Sequence, residues 1–181
     1  KEIQSILQQA NFYAFNLTKT NNSKYRRMLL IRKDHIESLE KIIADKRSWV
    51  VSIKSAGNIL RGENYVYAFP EARLNKNITK KGEIIATENI SLGSSDSESI
   101  REKIKFLLSS TLAEVKRRGS LSSELKVNPT QINNLGKSLV SRKKGDIQII
   151  AKAIANSQSA DKVQISLELK NLDNRLKNDR K

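Results

Sequence analysis

The sequence contains no cysteine and only one histidine, His35, among 181 residues. Without Cys there are no disulfides and no thiolate metal ligands, and the redox compartment leaves no trace. A single His removes the usual zinc ligand sets as well. No stretch approaches the ~20 apolar residues of a membrane-spanning helix, and no basic-then-apolar leader opens the chain. The chain begins at Lys1, directly in a helical pattern, and reads as a soluble piece of something longer. Aromatic residues are few, with four Phe, four Tyr and one Trp. The strands are expected to need theirs for the core, which leaves no platform on which bases could stack. Apolar residues make up 38%, below the roughly 45–50% usual for globular chains. A chain of this length still has room for one domain with a real core.

What is abundant is positive charge. Thirty-four basic residues against 19 acidic ones give a formal charge of +15, which favours polyanionic partners, either nucleic acid or an anionic membrane surface. The excess is spread evenly: residues 1–90 carry 16 basic and 9 acidic residues, and residues 91–181 carry 18 and 10. A dedicated nucleic-acid arm would concentrate it in a block, so the first reading is a solvated basic surface. The candidate phosphate contacts are Lys24, Arg26, Arg27, Lys76, Lys80, Lys81, Arg142, Lys143 and Lys144.

Trp49 to Asn89 is the stretch most clearly patterned as strand. It holds three apolar runs broken by Gly-bearing turns, the mark of a three-stranded antiparallel meander. Trp49, Val51 and Ile53 alternate with Val50, Ser52 and Lys54, as in a sheet with one buried side. Asn58 and Gly62 bracket the first turn, and Lys80, Lys81 and Gly82 precede the third run.

Upstream, Ile3, Leu7, Ala10, Ala14 and Leu17 recur at spacings of four and three, the seam of a coiled coil or of an ordinary amphipathic helix. Phe12, Tyr13 and Phe15 are expected to anchor the end of that helix. Met28 to Ile31 reads as a short buried strand, and Asp34 with Glu37 as a capping-box variant opening a helix striped by Ile36, Leu39, Ile42 and Ile43. His35 reads as a surface residue, since no Ser or Cys motif accompanies it.

Downstream, the polar loop from Gly93 to Glu98 offers caps for a long helix whose stripe is Ile100, Ile104, Leu107, Leu108, Leu112 and Val115. Lys116, Arg117 and Arg118 suit its last turn, and Gly119 the left-handed position after it. Leu121 to Val127 allows a short strand, and Asn128 with Pro129 starts a helix at cap and first position. Ile147 to Ala155 and Val163 to Leu169 form a C-terminal hairpin around residues 156–160. Residues 171–181 are too polar to pack.

The expected fold is therefore α+β, a meander plus a hairpin packed against helices. Residues 1–20 form the end of a coiled-coil helix, 24–170 a single domain and 171–181 a polar tail. The element order also resembles the ribonuclease H-like fold. Members of that fold place an Asp in the first strand, where this chain has Val50, Val51, Ser52 and Ile53. Glu63, Glu83, Glu88 and Glu124 are placed by no motif, so two-metal phosphoryl transfer is not expected, nor is any metal or cofactor site.

The runs WVVSIKSAGNILRGENYVYAF and KGEIIATENI, the helix ending EVKRRG and the final KVQISLELK resemble the C-terminal region of a cyanobacterial family catalogued as a domain of unknown function, number three thousand and eighty-four. The resemblance implies a membrane-anchored protein in which apolar segments and a long coiled coil precede this domain. It implies membrane association through segments outside this sequence, and oligomers formed through the coil. The motif most specific to it is SAGNILRGE, where Ser55, Gly57, Asn58 and Gly62 form either a structural turn or an anion cradle of backbone N–H groups. The function expected from all this is a noncatalytic interaction or scaffold domain with an unidentified protein partner. The alternative is a nucleic-acid-binding domain of ribonuclease H-like fold without nuclease activity.

Overall fold

The strand signals between Trp49 and Asn89 all become strands, but not of one sheet. In the computed structural model, which describes residues 2–45, 47–92, 96–142 and 144–172, the chain forms two compact units that meet in sequence at Leu74 and Asn75. The class is α+β, as expected. The span 24–170, read as one domain, is thus divided, and the helix set apart over 1–20 belongs to the first unit.

The first unit contains helix α1 (Glu2–Thr18), strand β1 (Leu29–Leu30), helix α2 (Lys33–Ile43) and strands β2 (Trp49–Ser55) and β3 (Val66–Leu74). Its three-stranded sheet has β3 in the centre, antiparallel to β2 and parallel to β1. The third run of the expected meander is therefore replaced by the short strand at Leu29. Val66 and Ala68 are buried on one face of β3 with Met28 and Leu29, and Leu7, Ala10, Ala14 and Phe15 of α1 pack over them. Three residues of the heptad seam thus face the unit's own sheet, while Leu17 is exposed. Phe15 anchors the helix end as expected, but Phe12 and Tyr13 are exposed. At α2 the N-cap is Arg32, without a side-chain cap, and Asp34 lies inside the helix paired with Arg32. The expected capping box is absent because the helix starts one residue before its Asp.

The second unit contains β4 (Asn77–Thr79), β5 (Ile84–Ser91), α3 (Ser97–Arg117), β6 (Lys126–Val127), α4 (Pro129–Ser141), β7 (Asp146–Ala153), β8 (Ser157–Gln158) and β9 (Gln164–Asn171). The third apolar run is β5. It pairs antiparallel with β7, in a sheet ordered β5-β7-β9-β6. The element order that resembles the ribonuclease H-like fold, strands, helix, short strand, helix, strand, is present, but its strands are shared between two sheets. The expected hairpin does form, β7 against β9, and β8, in the connection between them, pairs antiparallel with β4.

Local signals set the helix ends here. Asp96 accepts a hydrogen bond from the Ser99 amide at 2.8 Å to cap α3. Gly119, at φ +107°, closes it, with the Ser120 amide donating to the Val115 carbonyl. Asn128 caps α4 through the Thr130 amide, with Pro129 in the first turn. The core of this unit joins Ile100, Ile104, Leu107 and Val115 of α3 to Leu135 and Leu139 of α4, and to Ile147, Ile149, Ile165 and Leu167 of the sheet. Leu108 and Leu112 only flank it. Thr111 occupies the buried position instead, its hydroxyl donating to the Leu107 carbonyl at 2.7 Å.

Candidate interaction surface of the first unit

Because side chains alternate along a strand, burying Val66 and Ala68 turns Tyr67 and Phe69 to the opposite face, and Tyr65, just before the strand, is exposed as well. Tyr65, Tyr67 and Phe69 are 55%, 68% and 39% exposed. The aromatics assigned from sequence to the core are thus on the surface, and the small residues between them are inside. Lys54 lies directly across from Phe69 on β2, and Glu71 and Arg73 continue the same face of β3. Glu71 is bridged by Lys54 and Arg73. Those two cations, Lys54 first, hold its carboxyl below the usual range.

A second feature lies at the other end of the row. Asn64, one residue before Tyr65, accepts a hydrogen bond from Arg26 Nη2 at 2.7 Å. Both line a polar hollow with Lys19, Lys24, Thr20 and Ser23, and Glu63 is its one acidic residue. The loop carrying Lys24 and Arg26 is held to α1 by the Asn11 side chain. Asn11 Oδ1 accepts from the amides of Met28 (2.7 Å) and Leu29 (3.0 Å). Its Nδ2 donates to the Tyr25 hydroxyl (3.0 Å) and the Arg26 carbonyl (3.2 Å). An isolated Asn on a helix carries no sequence signal for such a clamp. The alternation around Val66 and Ala68 was the signal available for the aromatic row.

The sequence-predicted basic residues lie in three places. Lys24 and Arg26 share the hollow just described, while Arg27 lines a different one with Leu7, Gln8 and Ile36. Lys76, Lys80 and Lys81 are exposed around β4 and the turn into β5. Arg142 ends α4 and donates to Asn171 Oδ1, and Lys144 is exposed beyond it. Lys143 lies outside the described residues. In the SAGNILRGE turn, the Ser55 hydroxyl donates to the Gly57 carbonyl and the Gly57 amide donates back to Ser55 Oγ. The Gly62 amide donates to the Thr18 carbonyl. Both glycine N–H groups are thus engaged within the protein, and Asn58 is exposed.

The carboxylates weighed for metal binding are dispersed. Glu83 pairs with Arg118, Glu88 with Lys103 and Glu124 with Lys162. Among the described residues no three of His, Cys, Asp and Glu lie together as a metal site needs. His35 is half-buried on α2. No helix among the described residues is long and apolar enough to cross a membrane.

Apolar exposure is concentrated in the first unit. Among the described residues, it has nine of the fifteen exposed large hydrophobic side chains but only six of the twenty-four buried hydrophobic residues. The second unit is a well-filled core under a two-layer α+β arrangement. The first is a three-stranded sheet with α1 over Val66 and Ala68, α2 against β3, and Tyr67 and Phe69 exposed.

The chain is 34% identical, over 119 residues, to an uncharacterised protein of the cyanobacterium Nostoc sp., an alignment that covers 65% of this chain and 24% of the relative. The chain thus spans about a quarter of the length of the curated relative it matches. No protein-family model and no solved structure matches it.

Proposed function

We propose that this chain is a noncatalytic interaction domain at the C-terminal end of a membrane-anchored coiled-coil protein of the cyanobacterial family named above. In this reading the first unit is the adhesive part. The single observation that carries it is the exposure of Tyr67 and Phe69 on one face of β3, with Tyr65 just before it, three aromatic side chains that the protein's own core does not use. Contiguous exposed apolar surface rimmed by polar groups is what binding faces present. Tyr is also enriched at interfaces, because one side chain supplies a large apolar body and a polar tip. Support for the architecture comes from the greater length of the Nostoc relative.

The test is site-specific photo-crosslinking in the full-length protein in its native membranes. A photoreactive residue replaces Tyr67 on β3, or Thr87, which is exposed on the second unit. Discrete adducts from position 67 and none from position 87 are expected. Equal labelling from both positions, or no adduct at 67, refutes the reading.

A further inference from the structure

We propose that the aromatic surface of the first unit binds single-stranded nucleic acid, its bases stacked on Tyr65, Tyr67 and Phe69 and its phosphates held by the basic hollow beside Tyr65. This rests on the interaction reading above and names the partner. The strand aromatics, expected from the sequence in the core, are exposed and so are free to stack on bases.

Three observations favour this partner over a protein. First, side chains on one face of a strand recur every ~6.6–6.8 Å. Successive rings are therefore too far apart to stack on one another, and each is free to take one base of an extended strand. Second, the charge around the row suits a polyanion. The hollow sets Lys19, Lys24 and Arg26 against a single carboxylate, Glu63. Among the described residues, none of those three cations is in an ion pair: Lys19 bonds Asn16 and Arg26 bonds Asn64, both neutral amides. At the far end Lys54 and Arg73 neutralise Glu71 and leave one positive charge in excess. Third, the rings are exposed on the surface. A duplex, whose bases are paired and stacked inside, can offer the rings nothing, whereas an unpaired strand can offer every base. Tyr25, 61% exposed and edge-on to Phe15, adds a fourth ring at the rim of the hollow.

The experiment is fluorescence anisotropy with the 181-residue chain and three labelled probes: a twenty-nucleotide oligothymidylate, an oligouridylate of equal length and a twenty-base-pair DNA duplex. Titrations are repeated at several salt concentrations with wild type, Y67A/F69A and K24Q/R26Q. The first pair is exposed, and of the second Lys24 is exposed while Arg26 also donates to the buried Met28 Sδ at 3.2 Å, so melting curves close to wild type are required as the folding control. At least one single strand should bind roughly tenfold more tightly than the duplex, and the DNA and RNA arms identify which. Y67A/F69A should lose about tenfold or more for that strand while changing duplex binding less than twofold. K24Q/R26Q should lower the slope of log affinity against log salt by roughly 1.4, two phosphate contacts on a single strand. Equal affinity for strand and duplex, or single-strand binding unchanged in Y67A/F69A, overturns the proposal. If no probe binds but light scattering finds self-association that Y67A/F69A abolishes, the nucleic-acid partner is refuted and the interaction reading stands. If neither occurs and position 67 gives no crosslink, both fall.

Discussion

Phe106, Leu107 and Leu108 are consecutive apolar residues on α3, and the structure ranks them sharply. Phe106 is 61% exposed, Leu107 is fully buried and Leu108 is half-buried at the edge of the core. Leu107→Ala removes the equivalent of about three methylenes, ~2.4 kcal/mol at ~0.8 kcal/mol each. A residual cavity adds to that, for a total of about 2.7–5 kcal/mol. Leu108→Ala should cost about half the transfer part, roughly 1 kcal/mol, because its neighbourhood is partly water already. Phe106→Ala should stay within about 0.5 kcal/mol, as exposed substitutions do. Against a stability of about 5–15 kcal/mol for a typical domain, the first change shifts a urea midpoint plainly and the last does not. Urea denaturation followed by circular dichroism, with slopes compared so that only midpoint shifts at constant slope count, measures all three. If Leu108→Ala proves the most damaging, the helix is rotated relative to the sheet and the core described above is wrong.

Asn11→Ala leaves the amides of Met28 and Leu29 without their acceptor and should cost about 1–3 kcal/mol; faster proteolysis within residues 19–27 is the accompanying sign, and unchanged cleavage counts against the clamp. Glu114 is pushed down to about 2 by hydrogen bonds from Arg117 and then Arg118. A depressed carboxylate stabilises the fold fully above its unfolded value, ~4.3, and loses that contribution as pH falls through its folded value. The melting temperatures of wild type and Glu114→Gln should therefore differ most above pH ~4.5 and converge toward pH 2; a gap constant across that range contradicts the pairing.

The parts of the fold legible in the sequence are those decided within a few residues. Asp96, Gly119, Asn128 and Pro129 do what their positions announce, because a cap is satisfied by the adjacent turn. The β7–β9 hairpin is legible for the same reason. The third strand of the meander was misplaced because strand pairing is decided by residues far away: nothing in Gly82 to Asn89 names Asp146 to Ala153 as its partner. The phase of α3 was blurred because Leu108 and Leu112 are apolar while the buried position is a Thr, whose hydroxyl is satisfied by its own helix. At the candidate surface the alternation was visible, but size was taken as the guide to burial. The core under α1 takes the alternate set, Val66 and Ala68, and leaves Tyr67 outside. Of the basic candidates, Lys24 and Arg26 come together, and their companion Lys19 carried no distinguishing mark.

The order of the second sheet has a consequence for the growing chain. β5 pairs with β7 across almost sixty residues, Ile90 opposite Ile147, with two helices and a short strand in between. At ~5–20 residues per second, β5 leaves the ribosome roughly 3–12 s before its partner exists. Until then Ile85 and Ile90 have no strand to lie against, and α3 alone can shield them. The β7–β9 hairpin, whose ladder is local, can close quickly once made; β5 must then be recruited to its finished edge. Once it docks, β5 is itself an outer strand, and its irregular register between Ile84 and Ala86 interrupts the flat ladder that a neighbouring nascent chain would extend.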